Sequence, residues 1–281
     1  MASLSDTSPV TVPSLVAAKG KERIAMLSLY DAPSAALADA AGIDVFLVGD
    51  SLEMAVYGRP NTLSATMDSM LRHSRAVADA AKRALVVGDM PFLSFQASVE
   101  EAVKNAGRFL SEAGCAAVKL EGGARSLPAV EAILAADIPV MGHVGLTPQS
   151  YRKLGGFKVQ GREVSSAREI LEDARALASA GCFAVVLECV PDALAAEITR
   201  EIAVPTIGIG AGAGCDGQVL VFHDVMGLNP DFQPKFVRRY ADLASAITQA
   251  AREFLHDVKA GDFPNSEESF SEKAHALRRV Y

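Results

Sequence analysis

Ala41-Gly42-Ile43-Asp44-Val45, Ala113-Gly114-Cys115-Ala116-Ala117 and Ala180-Gly181-Cys182-Phe183-Ala184 are near copies of one short module. In each, an Ala-rich amphipathic stretch stops at a Gly, the residue that most easily closes a helix, and an apolar run follows. Counting on from that Gly, Glu121 and Glu188 fall at the seventh position and Asp50 at the eighth. Each module therefore leads a helix into a strand and sets a carboxylate at the strand's C-terminal end.

Working outward, eight short apolar runs bounded by turn residues recur: Ile24 to Leu29, Val45 to Val48, Ala84 to Val87, Ala116 to Leu120, Pro139 to Met141, Ala184 to Leu187, Pro205 to Ile209 and Val219 to Phe222. Helical stretches fill nearly all the intervals, with capping boxes at Ser98…Glu101 and Ser166…Glu169, a cap at Asp68, and a last helix from Tyr240 to Val258 packed outside. Strands alternating with helices imply a parallel sheet, and eight such units favour an α/β fold of the (β/α)8 TIM-barrel type over an open doubly wound sheet. The reading divides the chain into a mobile Ser/Thr/Pro-rich leader over 1–20, a catalytic barrel over 21–261 and a tail over 262–281.

Composition narrows the partners. The 27 Lys plus Arg against 34 Asp plus Glu leave a formal charge of -7, with no basic excess for a phosphate backbone or an anionic membrane surface. Nucleic acid and membrane are therefore excluded as expected partners. The four cysteines lack C-x-x-C spacing and sit in or beside apolar segments, and the first residues lack the pattern of a signal peptide, so a reducing cytoplasm is expected.

Five strand ends carry a titratable group: Gly49-Asp50-Ser51, Gly88-Asp89, Val118-Lys119-Leu120-Glu121, Gly142-His143 and Leu187-Glu188. Lys119 and Glu121 are two apart on one strand and share its face, which in a barrel is the lumen. One ammonium cannot balance them together with Asp50 and Asp89, so a divalent cation is the economical source of charge. Oxygen ligands suit Mg2+ better than Zn2+. A 2-oxo acid could chelate such a cation, and Glu188 is then available as the base. Among the histidines only His143, at a strand end before a long Gly/Lys loop, is expected to face substrate, while His73 reads as a helix-packing residue. Gly212, Gly214 and Gly217 match G-x-G-x-x-G literally, but a strand follows them rather than a helix, which argues against a nucleotide site.

Read together, Val48-Gly49-Asp50-Ser51-Leu52, Asp89-Met90-Pro91-Phe92, Val118-Lys119-Leu120-Glu121-Gly122-Gly123, Gly142 to Gln149, Lys158-Val159-Gln160-Gly161-Arg162, Leu187 to Pro191, Gly208 to Gly212, Cys215 to Gln218 and Pro234-Lys235-Phe236 closely resemble the ketopantoate hydroxymethyltransferase family. The resemblance runs from about Ile24 to Gly261. It implies a (β/α)8 barrel of the phosphoenolpyruvate/pyruvate type, a homodecamer, and Mg2+ held by Asp50, Asp89 and Glu121. It further implies substrate contacts from Asp50, Ser51, Asp89, Lys119 and His143, and Glu188 as proton acceptor. The implied reaction belongs to pantothenate biosynthesis. A hydroxymethyl group passes from methylenetetrahydrofolate to 3-methyl-2-oxobutanoate, through a Mg2+-stabilised enolate, giving 2-dehydropantoate.

One segment departs from the pattern. After Gly49-Asp50-Ser51-Leu52 the family usually continues with Gly, then a Gln-Gly-His-Asp run and Leu-Pro, whereas this chain has Glu53, Tyr57-Gly58-Arg59-Pro60 and Leu63-Ser64. Because the ligand and base positions match while this loop does not, one-carbon transfer is more exposed to the departure than proton abstraction. The alternative enzyme is a related Mg2+-dependent 2-oxo-acid C–C lyase or mutase, of the phosphoenolpyruvate mutase and isocitrate lyase type. It lacks an evident catalytic-cysteine motif here. A metal-binding barrel without catalysis is opposed by the joint presence of Asp50, Asp89, Lys119, Glu121 and Glu188.

Overall fold

The apolar runs pair side by side, all parallel, into one closed barrel in the computed structural model, which describes residues 4, 8–231 and 233–270. The strands are β1 (Ile24–Ser28), β2 (Val45–Val48), β3 (Leu85–Asp89), β4 (Ala117–Glu121), β5 (Val140–Gly145), β6 (Ala184–Glu188), β7 (Thr206–Ile209) and β8 (Gly217–Val221). Because β1 pairs with both β2 and β8, the sheet has no edge and is not an open doubly wound one. The glycine match at Gly212–Gly217 leads into β8, so it opens a strand and not a helix.

Alternation along the strands separates a packed floor from a polar mouth. Ile24, Met26, Val45, Leu47, Leu85, Val87, Ala117, Met141, Ala184, Val186, Ile207 and Val219 fill the lumen as one apolar cluster. Two residues further along the same faces come Ser28, Asp89, Lys119, His143 and Glu188, with Glu121 two beyond Lys119. The outward faces are small where helices approach. A Cβ on Gly88 would lie 2.3 Å from the Phe109 ring, and one on Gly142 would lie 2.8 Å from Leu177. Phe109 of the helix Val99–Ser111 and Leu177 of the helix Val164–Ala180 thereby seat directly on the strands.

Gly42, Gly114 and Gly181 all take positive φ, at 86°, 71° and 108°, as helix stops require. Ser98 caps its helix, its Oγ accepting from the Glu101 amide at 3.1 Å. Two other caps differ from expectation. Thr66 rather than Asp68 caps Met67–Ala80, its extended backbone placing Oγ1 3.2 Å from the Ser69 amide, and Asp68 instead adds a favourable negative charge to the first turn. The helix Val164–Ala180 begins before Ser166, whose hydroxyl donates to the Glu163 carbonyl and so is not a cap.

Composition predicts a mobile leader through residue 20, but a helix forms over Val12–Ala18. Thr11 and Ser14 satisfy each other's backbone amides in a capping box, and buried Leu15 and Ala18 join the apolar floor of the barrel. Burying apolar surface under an otherwise open barrel end outweighs the local Ser/Thr/Pro bias. Asp216 then ties the segment down: its carboxylate accepts from Lys19 Nζ at 2.9 Å, from the Gly20 amide at 3.1 Å and from the Thr206 amide at 2.9 Å.

Contacts divide the chain into two compact units, Met1–His223 with Pro234–Val237, which contains the barrel, and Asp224–Gln233 with Arg238–Tyr281. In the second unit the last helix runs over Leu243–Ala260, starting where the Asp242 side chain accepts from the Ser245 amide at 3.2 Å and not at Tyr240. Of the tail expected over 262–281, residues 271–281 lie outside the described residues. Among the described residues no helix is long and apolar enough to cross a membrane. All four cysteines are free thiols.

Burial works against ionisation of Asp216, but the Lys19 ammonium and the Thr206 and Gly20 amides outweigh it and hold the carboxyl below its ordinary range. The stability this contributes is fully present above the ordinary carboxylate pKa of ~3.9 and is lost as pH falls through the lowered native value. Asp216→Asn is expected to cost roughly 3 kcal/mol in urea unfolding at pH 7, because a buried ion pair loses one partner. Wild type and variant should converge in stability under acid conditions; a constant gap down to the acid limit would contradict the ionic origin of the effect.

Candidate active site

Every residue singled out at the strand ends reaches one rim. Asp50, Asp89, Lys119, Glu121 and His143 are buried there, with Ser51 and Glu188 partly accessible. The register explains the gathering: Asp89 lies beside Lys119, Glu121 beside His143, and Gly145 beside Glu188 across adjacent strands. The residue after Glu188 is held hard. Cys189 adopts φ 47°, an uncommon conformation for a non-glycine residue, with its amide donating to the Ile209 carbonyl at 2.8 Å. That pinned turn fixes the direction from which Glu188 faces the mouth.

A chain of contacts crosses the rim from β3 to β6. Lys119 Nζ lies 2.9 Å from Asp89 Oδ1 and 3.3 Å from His143 Nδ1, and His143 Nε2 lies 3.2 Å from Glu188 Oε2. An ammonium only donates, so Nδ1 of His143 accepts. Burial, then the Lys119 charge, hold the imidazole neutral, which puts its remaining proton on Nε2 facing Glu188. This last contact is close but poorly aligned as a hydrogen bond.

The electrostatics are those of an acidic pocket with one fixed cation. Burial disfavours charge on Lys119, but Asp89, Glu121 and Asp50 outweigh it and keep the ammonium protonated above its ordinary range. Asp50 is pushed up to about 7, first by burial and then by the Asp89 charge. Glu121 is driven well upward by burial and by Asp50. Burial raises Glu188 to about 7, with Lys119 pulling partly back. Such a group is poised for proton transfer near neutrality.

The test for a cation is whether this pocket has unspent acceptors. Glu121 Oε1 is buried without an aligned hydrogen-bond donor, while Asp89 Oδ1 faces the Lys119 ammonium at 2.9 Å. Among the described residues no three His, Cys, Asp or Glu side chains converge to enclose a metal by themselves. Mg2+ does not require that: it characteristically takes one or two carboxylates and completes its shell with substrate oxygens and water. The donor set therefore fits a hard cation that shares its coordination with a ligand.

Comparison with known proteins gives the lineage. The family described as Ketopantoate hydroxymethyltransferase matches residues 9–266. This chain belongs to that family. It is 56% identical over 263 residues to a 3-methyl-2-oxobutanoate hydroxymethyltransferase of Syntrophomonas wolfei, covering 94% of this chain and 95% of the relative. It is 55% identical to the protein of the same name in Carboxydothermus hydrogenoformans, covering 97% and 99%. Among solved structures, phosphonopyruvate hydrolase aligns with TM-score 0.61 at 14% identity, covering 94% of this chain and 92% of that one. A 2,3-dimethylmalate lyase of the PEP mutase/isocitrate lyase superfamily aligns with TM-score 0.57 at 17% identity, covering 96% and 93%. These two likenesses show that this chain shares their barrel fold.

Three features of the site were not assigned from sequence. Gln149, at the end of the Gly142 to Gln149 motif, is a hub: its amide nitrogen donates to Asp50 Oδ2 at 3.0 Å and to the Met90 carbonyl at 2.9 Å, and its backbone amide donates to Glu121 Oε2 at 3.0 Å. Tyr30 and Ser28 surround Ser51, with the Tyr30 and Ser51 hydroxyls 2.8 Å apart and those of Ser28 and Ser51 3.3 Å apart. Only Gly at position 49 permits this, since a Cβ there would fall 2.7 Å and 2.8 Å from the Ser51 and Ser28 hydroxyls. His73, expected to pack a helix, contacts the Tyr30 carbonyl through Nδ1 at 2.6 Å and the Tyr57 hydroxyl through Nε2 at 3.0 Å.

The raised Glu188 has a stability consequence. The native state holds its proton up to about 7 while the unfolded chain releases it near the ordinary value of ~4.3, so stability falls as pH rises between the two. Glu188→Gln is expected to stabilise the ligand-free protein at pH 8 by about 1–3 kcal/mol and to leave it near wild type below pH ~4. Denaturant titrations of both proteins across that range check this, and equal stability at pH 8 would mean that Glu188 is not forced neutral by its surroundings.

Proposed function

We propose that the protein transfers a hydroxymethyl group from methylenetetrahydrofolate to 3-methyl-2-oxobutanoate, producing 2-dehydropantoate for pantothenate biosynthesis. The observation that carries this reading is the raised carboxyl of Glu188 standing across the rim from the Asp89–Lys119 pair, in a chain of this family. Asp50 and Asp89, with Glu121 in the same acidic pocket, would hold Mg2+. When bound, Mg2+ polarises the 2-oxo group and acidifies the adjacent C3–H.

The chain's own groups account for the remaining requirements. Lys119 and Ser51 bind the carboxylate and keto oxygens of the acid, and Tyr30 and Ser28 hold the Ser51 hydroxyl in place. Neutral His143 lies between Lys119 and Glu188, orienting the base and contacting substrate without adding positive charge. Glu188 takes the C3 proton. Water adds to the methylene carbon of the donor and its two C–N bonds break, releasing tetrahydrofolate and a formaldehyde equivalent; the C3 carbanion adds to that carbonyl carbon, and its oxygen takes up the proton to become the hydroxyl of the product. Burial of the rim strengthens each of these electrostatic contacts at the point where enolate charge develops.

The same observations support a setting for this activity. Absence of a basic excess and of any membrane-crossing helix among the described residues fits an enzyme of the cytoplasm acting on small molecules. Self-association, as a decamer in the family pattern, is supported by exposed Ile247, Phe254, Leu255 and Val258 on the helix Leu243–Ala260. An apolar stripe of this kind on a surface helix marks an interaction face.

The decisive experiment is NMR detection of 2-dehydropantoate from the two substrates with Mg2+, beside an EDTA-treated control. Product is expected with Mg2+ and none with EDTA; no product from folded, Mg2+-supplied protein would reject the reading. Glu188→Gln should lower kcat by roughly 10²- to 10⁴-fold, the usual worth of a general base. The same variant should lose C3–H/D exchange of 3-methyl-2-oxobutanoate in D2O while retaining the acid's binding.

A further inference from the structure

A second cavity adjoins the acidic pocket on the side of β3, β4 and β5. Its volume is about 460 Å3, and it is lined by residues following those strands, with Glu121 and Gln149 at its buried end and exposed Arg125 on its wall. That size lies within the ~300–1,000 Å3 range of small-molecule sites. The lining is chemically mixed: Phe92 and Phe95 give aromatic surface, Gln96 gives an amide, and Arg125 gives a cation.

Several features show that this cavity is built. Gln149, whose side chain holds Asp50, accepts from Gln96 Nε2 at 3.0 Å, so one amide pair joins the cavity wall to the acidic pocket. Glu121, 3% exposed, lines the cavity and has an acceptor oxygen without an aligned donor. The loop carrying both phenylalanines is strained and braced: exposed Leu93 takes φ 66°, and the buried Asn105 amide donates to the Ser94 carbonyl at 2.7 Å. A non-glycine residue held in that region persists only where surrounding contacts enforce it. Arg125 donates to the Ser150 hydroxyl at 2.8 Å and forms no ion pair among the described residues.

In the transferase reading the rim takes the functional oxygens of the acid, which leaves this volume to the second substrate. We infer that the cavity binds the one-carbon donor, with the reduced pterin ring against Phe92 and Phe95, its hydrogen-bonding edge at Gln96, and the glutamate tail's carboxylate at Arg125. This rests on the transferase reading above and deepens it by giving the second substrate its place. An aromatic wall suits a flat heterocycle, and a guanidinium without an ion pair suits a carboxylate. The position also delivers the donor from the β3–β5 side, while Glu188 approaches from β6.

Two surface variants test the assignment, Arg125→Ala and Phe92→Ala, neither of which belongs to the proton-transfer machinery. Each is expected to raise KM for methylenetetrahydrofolate and to weaken calorimetric binding of tetrahydrofolate, Arg125→Ala by roughly 10- to 100-fold, as for a lost charge-assisted contact. KM for 3-methyl-2-oxobutanoate and the rate of its C3–H/D exchange should not move. The Arg125→Ala effect should disappear with the donor lacking glutamate, methylenetetrahydropteroate. Unchanged folate parameters in both variants, or a rise confined to the KM of the acid, would overturn the proposal. Should wild type bind tetrahydrofolate and Arg125→Ala weaken that binding while no product forms, the cavity assignment would stand and the transferase reading would fall.

Discussion

A single buried ammonium organises the mouth of this barrel. Lys119 is 3% exposed, which would ordinarily favour its neutral form, yet Asp89 at 2.9 Å and the nearby Glu121 and Asp50 keep it charged. Its charge in turn makes the imidazole of His143 an acceptor, and that sets the proton of His143 toward Glu188. The carboxylates still outnumber it. The surplus appears as raised carboxyl groups on Asp50 and Glu121, an arrangement that a further cation would relieve. Stability at the mouth is thus held back in the free protein and would be recovered on binding of a cation and a ligand, because binding to the native state alone adds to its stability.

The scaffold can carry that load because the rest of the lumen is conventional. Where charge enters beside the apolar floor from Ile24 to Val219 it is answered: Lys19 and backbone amides meet Asp216, and Arg83 and the Ala25 amide meet Asp44. Period-two alternation makes floor and mouth one pattern: the same inward face is apolar for two residues of β3, Leu85 and Val87, and then becomes Asp89. Rigid strands therefore aim the chemistry, and loops close over it.

The barrel was legible because its signals are local and repeated. Gly stops, apolar runs and terminal carboxylates each occupy a few consecutive residues, and the shared inward face of Lys119 and Glu121 follows from strand geometry alone. What stayed hidden depends on contacts between distant segments. Gln149 lies 99 residues from Asp50 in sequence and earns its place only through the fold. Tyr30 follows a strand whose end carries no charge, so it did not stand out beside the titratable ends. The helix Val12–Ala18 is hidden for the same reason, since Leu15 and Ala18 gain their burial from the barrel floor and not from their neighbours.

The loop that departs from the family pattern is rewired rather than emptied. Glu53, standing where the family usually has Gly, is 6% exposed, and a carboxylate so buried needs a donor. Ser64, standing where the family usually has Pro, supplies one through its hydroxyl, so two departures satisfy each other. A third, Tyr57, places its hydroxyl on His73, which contacts the carbonyl of Tyr30, whose own hydroxyl touches Ser51. The substituted segment is therefore joined to the substrate-facing hydroxyls by side-chain contacts that Gly, Gln and Pro at these positions could not all supply. Its effect on the reaction would travel through the placement of Ser51, while Glu188, aimed from β6 by the turn at Cys189, receives no contact from it among those described.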